Sequence, residues 1–347
     1  MLDKVHNRFF ASISLFFILF LICTTPVKSA APEGEEFDAG YMIMHHISDE
    51  HFWIFTDDVV AFLPVILYSS ADGFVVFSSR HLYENGSYGD YVYDHGAIHH
   101  VNSGVFVFDF SITKNVAMMF VGVIILLLIF FSVAHNYKKR HLAPPKGMAA
   151  FLEPIILFVR DDIAKPNIGH KYERYMPFLL TIFFYIWINN LLGLLPGAAN
   201  LTGNIAVTFT LAVFTLIVTN ISGTKHYWSH IFNTPGVPWW LKIPIPIMPT
   251  IEFIGIFTKP FALMIRLFAN ITAGHIIILS FLSLIFIFKS YSLTILSIPF
   301  ALFINFLELL VALLQAYIFT LLSAIYIGSA AEEHHEPEEK GATQALY

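Results

Sequence analysis

Two apolar runs near the C-terminus constrain the fold of this chain more than any other feature. Each run, 251–288 and 292–329, is 38 residues long, whereas a helix needs only about 20 residues to cross the hydrocarbon core of a bilayer. As continuous helices, the runs would each measure about 57 Å. Neither can stand upright in a membrane. The sequence therefore predicts a helical hairpin that turns at Lys289-Ser290-Tyr291, with arms tilted well beyond the usual angle of about 20°.

Polar side chains interrupt these runs at matched positions. Arg266 and Gln315 lie almost equally far from the predicted turn, and so do His275 and Glu308. An antiparallel hairpin would therefore bring each pair to a similar depth. Ionisable residues inside a membrane are costly and functional by default. Arg266 and His275 differ by about half a turn around a helix, so we expect Arg266 to face a partner protein and His275, with Glu308, to line a water-filled route.

Three further polar residues are candidates for the same function. Asn270 follows Arg266 by one helical turn and can orient or hydrate its guanidinium. Glu252 and Lys259 lie nearer the start of the first run, where anchoring at the membrane interface explains them as well as an ion exit path does. A structural alternative covers the whole set: Arg266 would snorkel to the interface and the other polar groups would tie the helices together.

The composition indicates a polytopic membrane protein. The chain is 56 % hydrophobic and only 13 % charged, with a mean hydropathy of +0.68, which is too apolar for an ordinary soluble domain. From 37 to 113 the sole lysine or arginine is Arg80, among many acidic residues. A surface of this kind is a poor partner for nucleic acid. The sequence has no glycine-rich phosphate loop, so we expect no nucleotide to bind, and no cofactor, metal or catalytic residue is predicted.

The N-terminus has the pattern of a secretory signal. Lys4 and Arg8 precede an apolar stretch, and small residues follow around Ser29, which predicts cleavage near that position. An uncleaved anchor helix is the alternative. Cys23, the only cysteine, lies in this segment, so a cleaved chain would carry no thiol chemistry.

Residues 30–113 predict a small strand-containing domain on the exported side. Two β-rich segments, Pro64 to Ser69 and Phe74 to Ser79, flank Asp72-Gly73, which is typical of a hairpin turn. The many histidines of the domain do not follow a metal-ligand spacing, and we interpret them as surface residues. Basic residues from Lys138 onward follow the first apolar span, which places that end in the cytoplasm.

These patterns together predict an all-α polytopic membrane protein with about five membrane-embedded helices, one interfacial amphipathic helix and a long oblique hairpin formed by the last two helices. The strand-containing exported domain precedes them. The predicted segments are the signal peptide (1–29), the exported domain (30–113), the first transmembrane helix (114–134), the amphipathic helix (146–166), transmembrane helices two and three (175–222), the hairpin (250–330) and an acidic cytoplasmic tail (331–347).

Two motifs carry a resemblance to a known family. The segment from Thr258 to Asn270 (TKPFALMIRLFAN), followed by Ala273-Gly274-His275, resembles the signature of subunit a of F-type ATP synthases. The segment from Leu314 to Leu322 (LQAYIFTLL) is similar to the final helix of that family. The resemblance extends over roughly 111–332, and the exported domain shows no motif that we can place.

The resemblance implies a function in proton movement. In that family the subunit is the proton channel of the stator in a bacterial inner membrane, where two half-channels face a rotating ring of c subunits and peripheral-stalk b subunits complete the stator. Arg266 would be the essential arginine facing the ring, with Asn270 and Gln315 beside it. His275 and Glu308 would form the exported-side relay. Many bacterial relatives carry these two residues exchanged, so which partner holds the proton stays open.

Other functions remain as alternatives. A proton-coupled secondary transporter would show inverted repeats around a midplane site, and no duplication is evident in the sequence. A membrane-embedded hydrolase would need a nucleophile or a metal cluster, and His275 has no ligand partner at a spacing such as H-E-x-x-H. The ion also stays open between H⁺ and Na⁺, because its binding site would lie mostly on the partner ring.

Overall fold

The computed structural model combines an N-terminal strand-containing domain with long apolar helices. It describes residues 38–56, 59–94, 96–102, 104–139, 144, 147–195, 197–232, 247–288 and 291–332. The predicted signal peptide, residues 289–290 of the predicted turn and the acidic tail beyond Glu332 lie outside the described residues. Tyr291, the third residue of that predicted turn, is instead the first residue of the last helix.

The N-terminal domain contains short strands in three small sheets, with strand orders β1-β2, β4-β3-β8 and β5-β6-β7. Its elements are α1 (Ala39–Ile47), β1 (Phe52–Thr56), β2 (Val59–Phe62), β3 (Pro64–Ser69), β4 (Gly73–Ser78), α2 (Arg80–Asn85), β5 (Ser87–Tyr88), β6 (Tyr91–Asp94), β7 (Ala97–His100) and β8 (Val107–Asp109). The prediction of a strand-containing region ahead of the first span is confirmed.

The predicted hairpin at Asp72-Gly73 is present. Strands β3 and β4 pair antiparallel, and Gly73 has a positive φ of 74°, a conformation that glycine adopts at no steric cost. Alternation along both strands sends one set of side chains inward. The inward residues Val65, Leu67 and Phe77 form the core of the domain together with Leu82, Tyr91 and Ile98 from neighbouring elements.

Helices make up the rest of the described chain. They are α3 (Lys114–Lys139), α4 (Met148–Phe158), α5 (Lys165–Ile168), α6 (Tyr172–Gly193), α7 (Ile205–Ile221), α8 (Lys225–Phe232), α9 (Ile247–Phe288) and α10 (Tyr291–Ala331). A π-helical turn (Val159–Ala164) joins α4 to α5, and 3₁₀ turns precede α6 (Gly169–Lys171) and α7 (Leu201–Gly203).

Four segments of the described chain are long and apolar enough to cross a membrane, in agreement with a polytopic protein. They are Lys114–Lys139, Met148–Gly193, Thr250–Ile285 and Ser297–Ala331, and the apolar α7 is shorter. The last two helices, α9 and α10, contain 42 and 41 residues, slightly more than the apolar runs that predicted them. Internal prolines such as Pro260 and Pro299 are tolerated because neighbouring groups in a membrane protein can satisfy the freed carbonyls.

Packing divides the chain into two units. The first unites the N-terminal domain and the beginning of α3 with Trp187–Asn204 and Ala269–Leu313. The second contains Leu128–Ile186, Ile205–Phe268 and the chain from Leu314 onward. Within the second unit Gly328 lies directly against the backbone of Asn167, where any Cβ would collide with the Asn167 carbonyl. A small residue at this position permits the close approach of two membrane helices.

Hydrogen bonds join the N-terminal domain to the start of α3 within the first unit. The Asp49 carboxylate accepts from the backbone N–H of Asn115 at 3.1 Å and from Thr113 Oγ1 at 2.9 Å. The Lys114 N–H donates to the Glu50 carbonyl at 2.8 Å. An acidic side chain at a helix N-terminus satisfies unpaired N–H groups and suits the helix dipole. The domain is thereby fixed at the beginning of the first span.

Candidate functional site

The two longest helices bring together the histidine and the glutamate that the sequence placed at similar depth. His275 Nε2 of α9 lies 3.2 Å from Glu308 Oε1 of α10, and the side chains are only 16 % and 3 % exposed. Neither Glu308 oxygen has a hydrogen-bond partner within the described part of the chain, so the short distance is an ion-pair contact without hydrogen-bond geometry. Burying a carboxyl group with so little compensation is costly.

Gly274 provides the space that the Glu308 carboxyl occupies. A Cβ at position 274 would lie 3.1 Å from Glu308 Oε1 and 3.2 Å from its Cδ, which is closer than ordinary van der Waals contact. Sequence reasoning placed Gly274 in the family motif but gave it no function. Its place directly before His275 was the available signal, because glycine often marks a close approach.

The structure leaves Arg266 exposed on α9, and the residues about one helical turn away on the same face, Ala262, Ala269 and Asn270, are exposed as well. Its neighbours Phe261 and Ile265 are 57 % and 43 % exposed, and Arg266 is itself exposed. Among the described residues, Arg266 forms no salt bridge or hydrogen bond. Asn270, four residues later, is exposed as well, as the helical period predicts.

Gln315 differs from this pair in its surroundings. It is 4 % exposed, and no hydrogen bond links it to Arg266 in the part of the chain that the structure describes. The structure therefore does not join Arg266 and Gln315 in the way that it joins His275 and Glu308.

Glu252 and Lys259 lie earlier in α9, beside aromatic residues. The Lys259 Nζ stands 5.6 Å from the ring centroid of Tyr326, within the range of a cation–π contact. Burial raises the pKa of Tyr227 in α8, and the nearby Glu252 carboxylate raises this pKa further. Both residues thus belong to a polar and aromatic neighbourhood within the second unit.

The first unit also contains buried amide and hydroxyl groups between its helices. Thr202 Oγ1 donates to Asn190 Oδ1 at 2.6 Å, and Asn190 Nδ2 donates to the Ala312 carbonyl at 3.5 Å. These bonds connect α6 with α10, which is the packing function that asparagine commonly has between membrane helices. Within the described ranges, no group of three or more His, Cys, Asp or Glu residues is placed to hold a metal ion.

The contact between His275 and Glu308 is suited to moving a proton. Imidazole and carboxyl groups in contact can exchange a proton, and histidine titrates near neutral pH. An exposed cation on an apolar helix supplies a fixed positive charge to whatever passes it.

Comparison with known proteins places most of the chain in one family. Residues 116–328 match the family model described as ATP synthase A chain. The preceding residues 42–117 match a model described as a domain of unknown function (DUF8433). The two matches meet where the N-terminal domain joins α3.

Relatives that match the chain carry the same description. "ATP synthase subunit a" of Chloroherpeton thalassium is 53 % identical over 254 residues, which cover 71 % of this chain and 74 % of that protein. "ATP synthase subunit a 2" of Prosthecochloris aestuarii is 43 % identical over 318 residues, or 89 % of this chain and 85 % of the relative. "ATP synthase subunit a" of Anaeromyxobacter sp. is 39 % identical over 327 residues, or 89 % and 75 %. The chain, a multi-pass membrane protein, therefore belongs to the ATP synthase subunit a family.

Proposed function

We propose that this chain is the proton-conducting stator subunit of a rotary F-type ATP synthase. It provides two half-channels for protons and presents Arg266 to a ring of c subunits, so that proton flow turns the ring. The chain itself performs no catalysis, binds no nucleotide and works only with the rest of the complex. The observation that carries this proposal is the exposed position of Arg266 on a long and predominantly apolar helix.

An exposed arginine on such a helix needs a partner other than lipid. Transfer of a lone guanidinium into hydrocarbon costs about 3 kcal/mol or more, and Phe261 and Ile265 beside it are suited to an apolar environment. A ring of subunits that each carry one membrane carboxylate would meet both needs. The fixed charge would favour the ionised carboxylate as it passes and would block a direct proton leak between the half-channels.

His275 and Glu308 form the relay of the exported half-channel in this proposal. Their contact distance of 3.2 Å allows a proton to pass between imidazole and carboxyl. Asn270 and Gln315 assist the ring contact from opposite sides, one exposed and one buried. Glu252 and Lys259, with the aromatic residues near them, line the exit toward the cytoplasm.

The two long helices form an oblique hairpin in this proposal. Two contacts support the antiparallel arrangement: the His275–Glu308 pair, and the rings of Phe281 and Phe300, whose centroids are 4.0 Å apart. The midpoints of both pairs fall within residues 290–292. With α3, α6 and α7, the hairpin gives five membrane-embedded helices, while α4 lies along the interface.

The orientation follows from charge. Lys138 and Lys139 in the last turn of α3 lie in the cytoplasm by the positive-inside rule, so the N-terminal domain is on the exported side and the C-terminus is cytoplasmic. The segment boundaries stated above, including a cleaved signal peptide at 1–29 and a solvated tail at 331–347, complete the proposal. Peripheral-stalk b subunits hold the chain in the stator.

The test is an Arg266→Ala substitution in membranes that contain the whole complex. We expect complete loss of ATP-driven proton pumping and of coupled synthesis, because the stator no longer controls the charge state of the ring. Pumping is measured by the quenching of a pH-sensitive dye in inverted vesicles, and nucleotide turnover is measured on the detached catalytic head, which should retain its activity.

Arg160→Ala is the matched control. Arg160 is an exposed arginine that pairs with Asp161 at 2.8 Å and has no place in the proposed channel, so its removal should leave pumping intact. Wild-type coupling in the Arg266→Ala complex would contradict the proposal and favour a self-contained transporter. Purification with a ring of small hairpin proteins would support the stator function.

A further inference from the structure

One sheet of the N-terminal domain presents an aromatic face that the function above does not use. In the sheet β4-β3-β8, one set of alternating residues packs into the domain core and the other set points outward. The outward set is almost entirely apolar. Its most exposed members are Phe106 (77 %), Phe74 (73 %), Val76 (65 %), Phe110 (62 %), Phe108 (60 %) and Tyr68 (41 %).

Strand register arranges these side chains in rows. Tyr68 pairs with Phe74 on one side and with Phe108 on the other, and the rings of Tyr68 and Phe74 are 5.0 Å apart. Because directly paired residues share a face of the sheet, these three rings form one continuous row. Val76, Ile66 and Phe110 form the next row, since Ile66 pairs with Val76 and its carbonyl accepts from the Phe110 N–H at 2.9 Å.

An exposed apolar patch of this extent marks an interaction surface. The outward positions of this sheet include no lysine, arginine or carboxylate, because Asp109 alternates to the other face and pairs with His51. Recognition there cannot depend on charge. The patch therefore suits an apolar partner rather than an acidic or basic one.

The patch lies close in sequence to the first span, and this position points to the lipid bilayer as its partner. Strand β8 runs directly into α3, and Phe110 is only four residues before Lys114, where that helix begins. Helix α3 is largely unburied and apolar, as a lipid-facing span should be. The Asp49 hydrogen bonds to Thr113 and Asn115 fix the domain at this junction. The chain thus passes from Phe110 on the aromatic face to the lipid-facing span within four residues.

We propose that the aromatic face of the β4-β3-β8 sheet inserts into the bilayer beside α3. The rings would lie at the boundary between headgroups and acyl chains, where amphipathic and aromatic residues anchor proteins. The domain would then rest on the membrane surface at the exported side of the protein. Zwitterionic lipid is sufficient for this insertion, because the face carries no charge.

The test measures the environment of single spin labels. Cys23 is the only native cysteine, so Cys23→Ser gives a background in which Phe108→Cys or Phe74→Cys carries the only label. The full-length chain, in its native assembly, is reconstituted in phosphatidylcholine vesicles. Collision rates are measured with oxygen, which concentrates in lipid, and with a water-soluble nickel chelate. We expect a severalfold higher ratio of oxygen to nickel collisions at both positions than at the control position.

Val92→Cys is the matched control, because Val92 is exposed (39 %) on a strand of the other three-stranded sheet and should be accessible to the nickel chelate. Two label positions guard against a local artefact: Phe108 is close to the span in sequence, whereas Phe74 reaches the membrane only if the whole face inserts. Nickel access at Phe74 equal to that at Val92 would overturn the proposal. Protection of Phe74 and Phe108 from both reagents would also overturn it, in favour of a protein partner.

Discussion

The N-terminal domain and the two long helices each bury a histidine next to a carboxylate, but the two pairs are built differently. In the domain, His51 Nε2 and Asp109 Oδ2 are 2.6 Å apart in a hydrogen bond, and Asp109 Oδ1 accepts from the Ser111 N–H at 2.8 Å. In the helices, the His275–Glu308 contact is 3.2 Å long, and both Glu308 oxygens are without a hydrogen bond to a described residue.

The two carboxylates therefore differ in how completely they are hydrogen-bonded. Buried polar groups in proteins are nearly always hydrogen-bonded, and each exception requires an explanation. Both Asp109 oxygens satisfy the rule, although the buried Nδ1 of its partner His51 has no hydrogen bond to a described residue. Burial alone would raise the pKa of the Asp109 carboxyl, but hydrogen bonds from His51 and Ser111 outweigh this effect and the pKa of Asp109 lies below its usual value. Glu308 does not satisfy the rule, and the proton relay that we propose would explain this exception.

The largest effect is expected when the acid of each pair is replaced by its neutral amide. Glu308→Gln should lower ATP-driven proton pumping by about 10²-fold or more, the usual contribution of a positioned acid or base, because an amide cannot carry the proton. The complex should still assemble, since the substitution breaks no hydrogen bond. Dye quenching in inverted vesicles measures pumping, and immunoblotting measures assembly.

Asp109→Asn is the corresponding substitution in the N-terminal domain. A complex that carries it should pump protons at the wild-type rate. If both substitutions reduce pumping equally, or if neither does, the distinction between the two pairs fails.

A smaller effect is expected from the glycine that shapes the Glu308 site. Gly274→Ala would place a Cβ 3.1 Å from Glu308 Oε1, so the carboxyl must move by a few tenths of an ångström. A small displacement of a reacting group can lower the reaction rate steeply. We therefore expect the rate of proton pumping to fall by about two- to tenfold. Gly255→Ala in the same helix is the control, because its Cβ would meet nothing within 4 Å. Equal pumping by the two variants would show that the space beside Glu308 is unimportant.

The smallest effect concerns the stability of the domain. Asp109→Asn should destabilise the sheet around β8 by about 1–2 kcal/mol, because it weakens a hydrogen bond between a charged group and a buried histidine, with part of the loss screened by solvent. Amide hydrogen exchange of the peptide that contains β8 measures this loss in the full-length chain.

The pH dependence of that loss follows from the lowered pKa of Asp109. A carboxyl whose folded-state pKa is depressed stabilises the fold above its unfolded value, and this contribution disappears as the pH falls through the folded pKa. The difference in exchange between wild type and Asp109→Asn should therefore be largest near neutral pH and should narrow below about pH 4. A difference that persists unchanged into acid would exclude this role for Asp109.

Sequence reasoning located the membrane part of the fold and its polar residues because the signal there is strong. Ionisable groups are conspicuous in an apolar run. Because His275 and Glu308 are almost equally far from the predicted turn, the sequence alone predicted that they lie at a similar depth. The boundaries were less accurate: α9 begins at Ile247, ahead of the predicted run, because a proline such as Pro249 is compatible with the first turn of a helix.

Other features were beyond the reach of the sequence. His51 and Asp109 are 58 residues apart, and no local pattern relates them. The burial of Gln315 could not be derived either, since a helix that is apolar on all sides has no period to show which face is covered. The aromatic face became visible only when strand register placed Phe74, Tyr68 and Phe108 in one row.

The most direct test of the account exchanges the two residues of the membrane pair. His275→Glu alone should abolish pumping, because two carboxyls then face each other, and the double substitution His275→Glu with Glu308→His should restore it well above either single variant. Proton pumping is measured at matched assembly of the complex. Recovery in the double variant would establish that the pair transfers protons as a unit. Pumping by His275→Glu at the wild-type rate, or a double variant no better than the single ones, would contradict it.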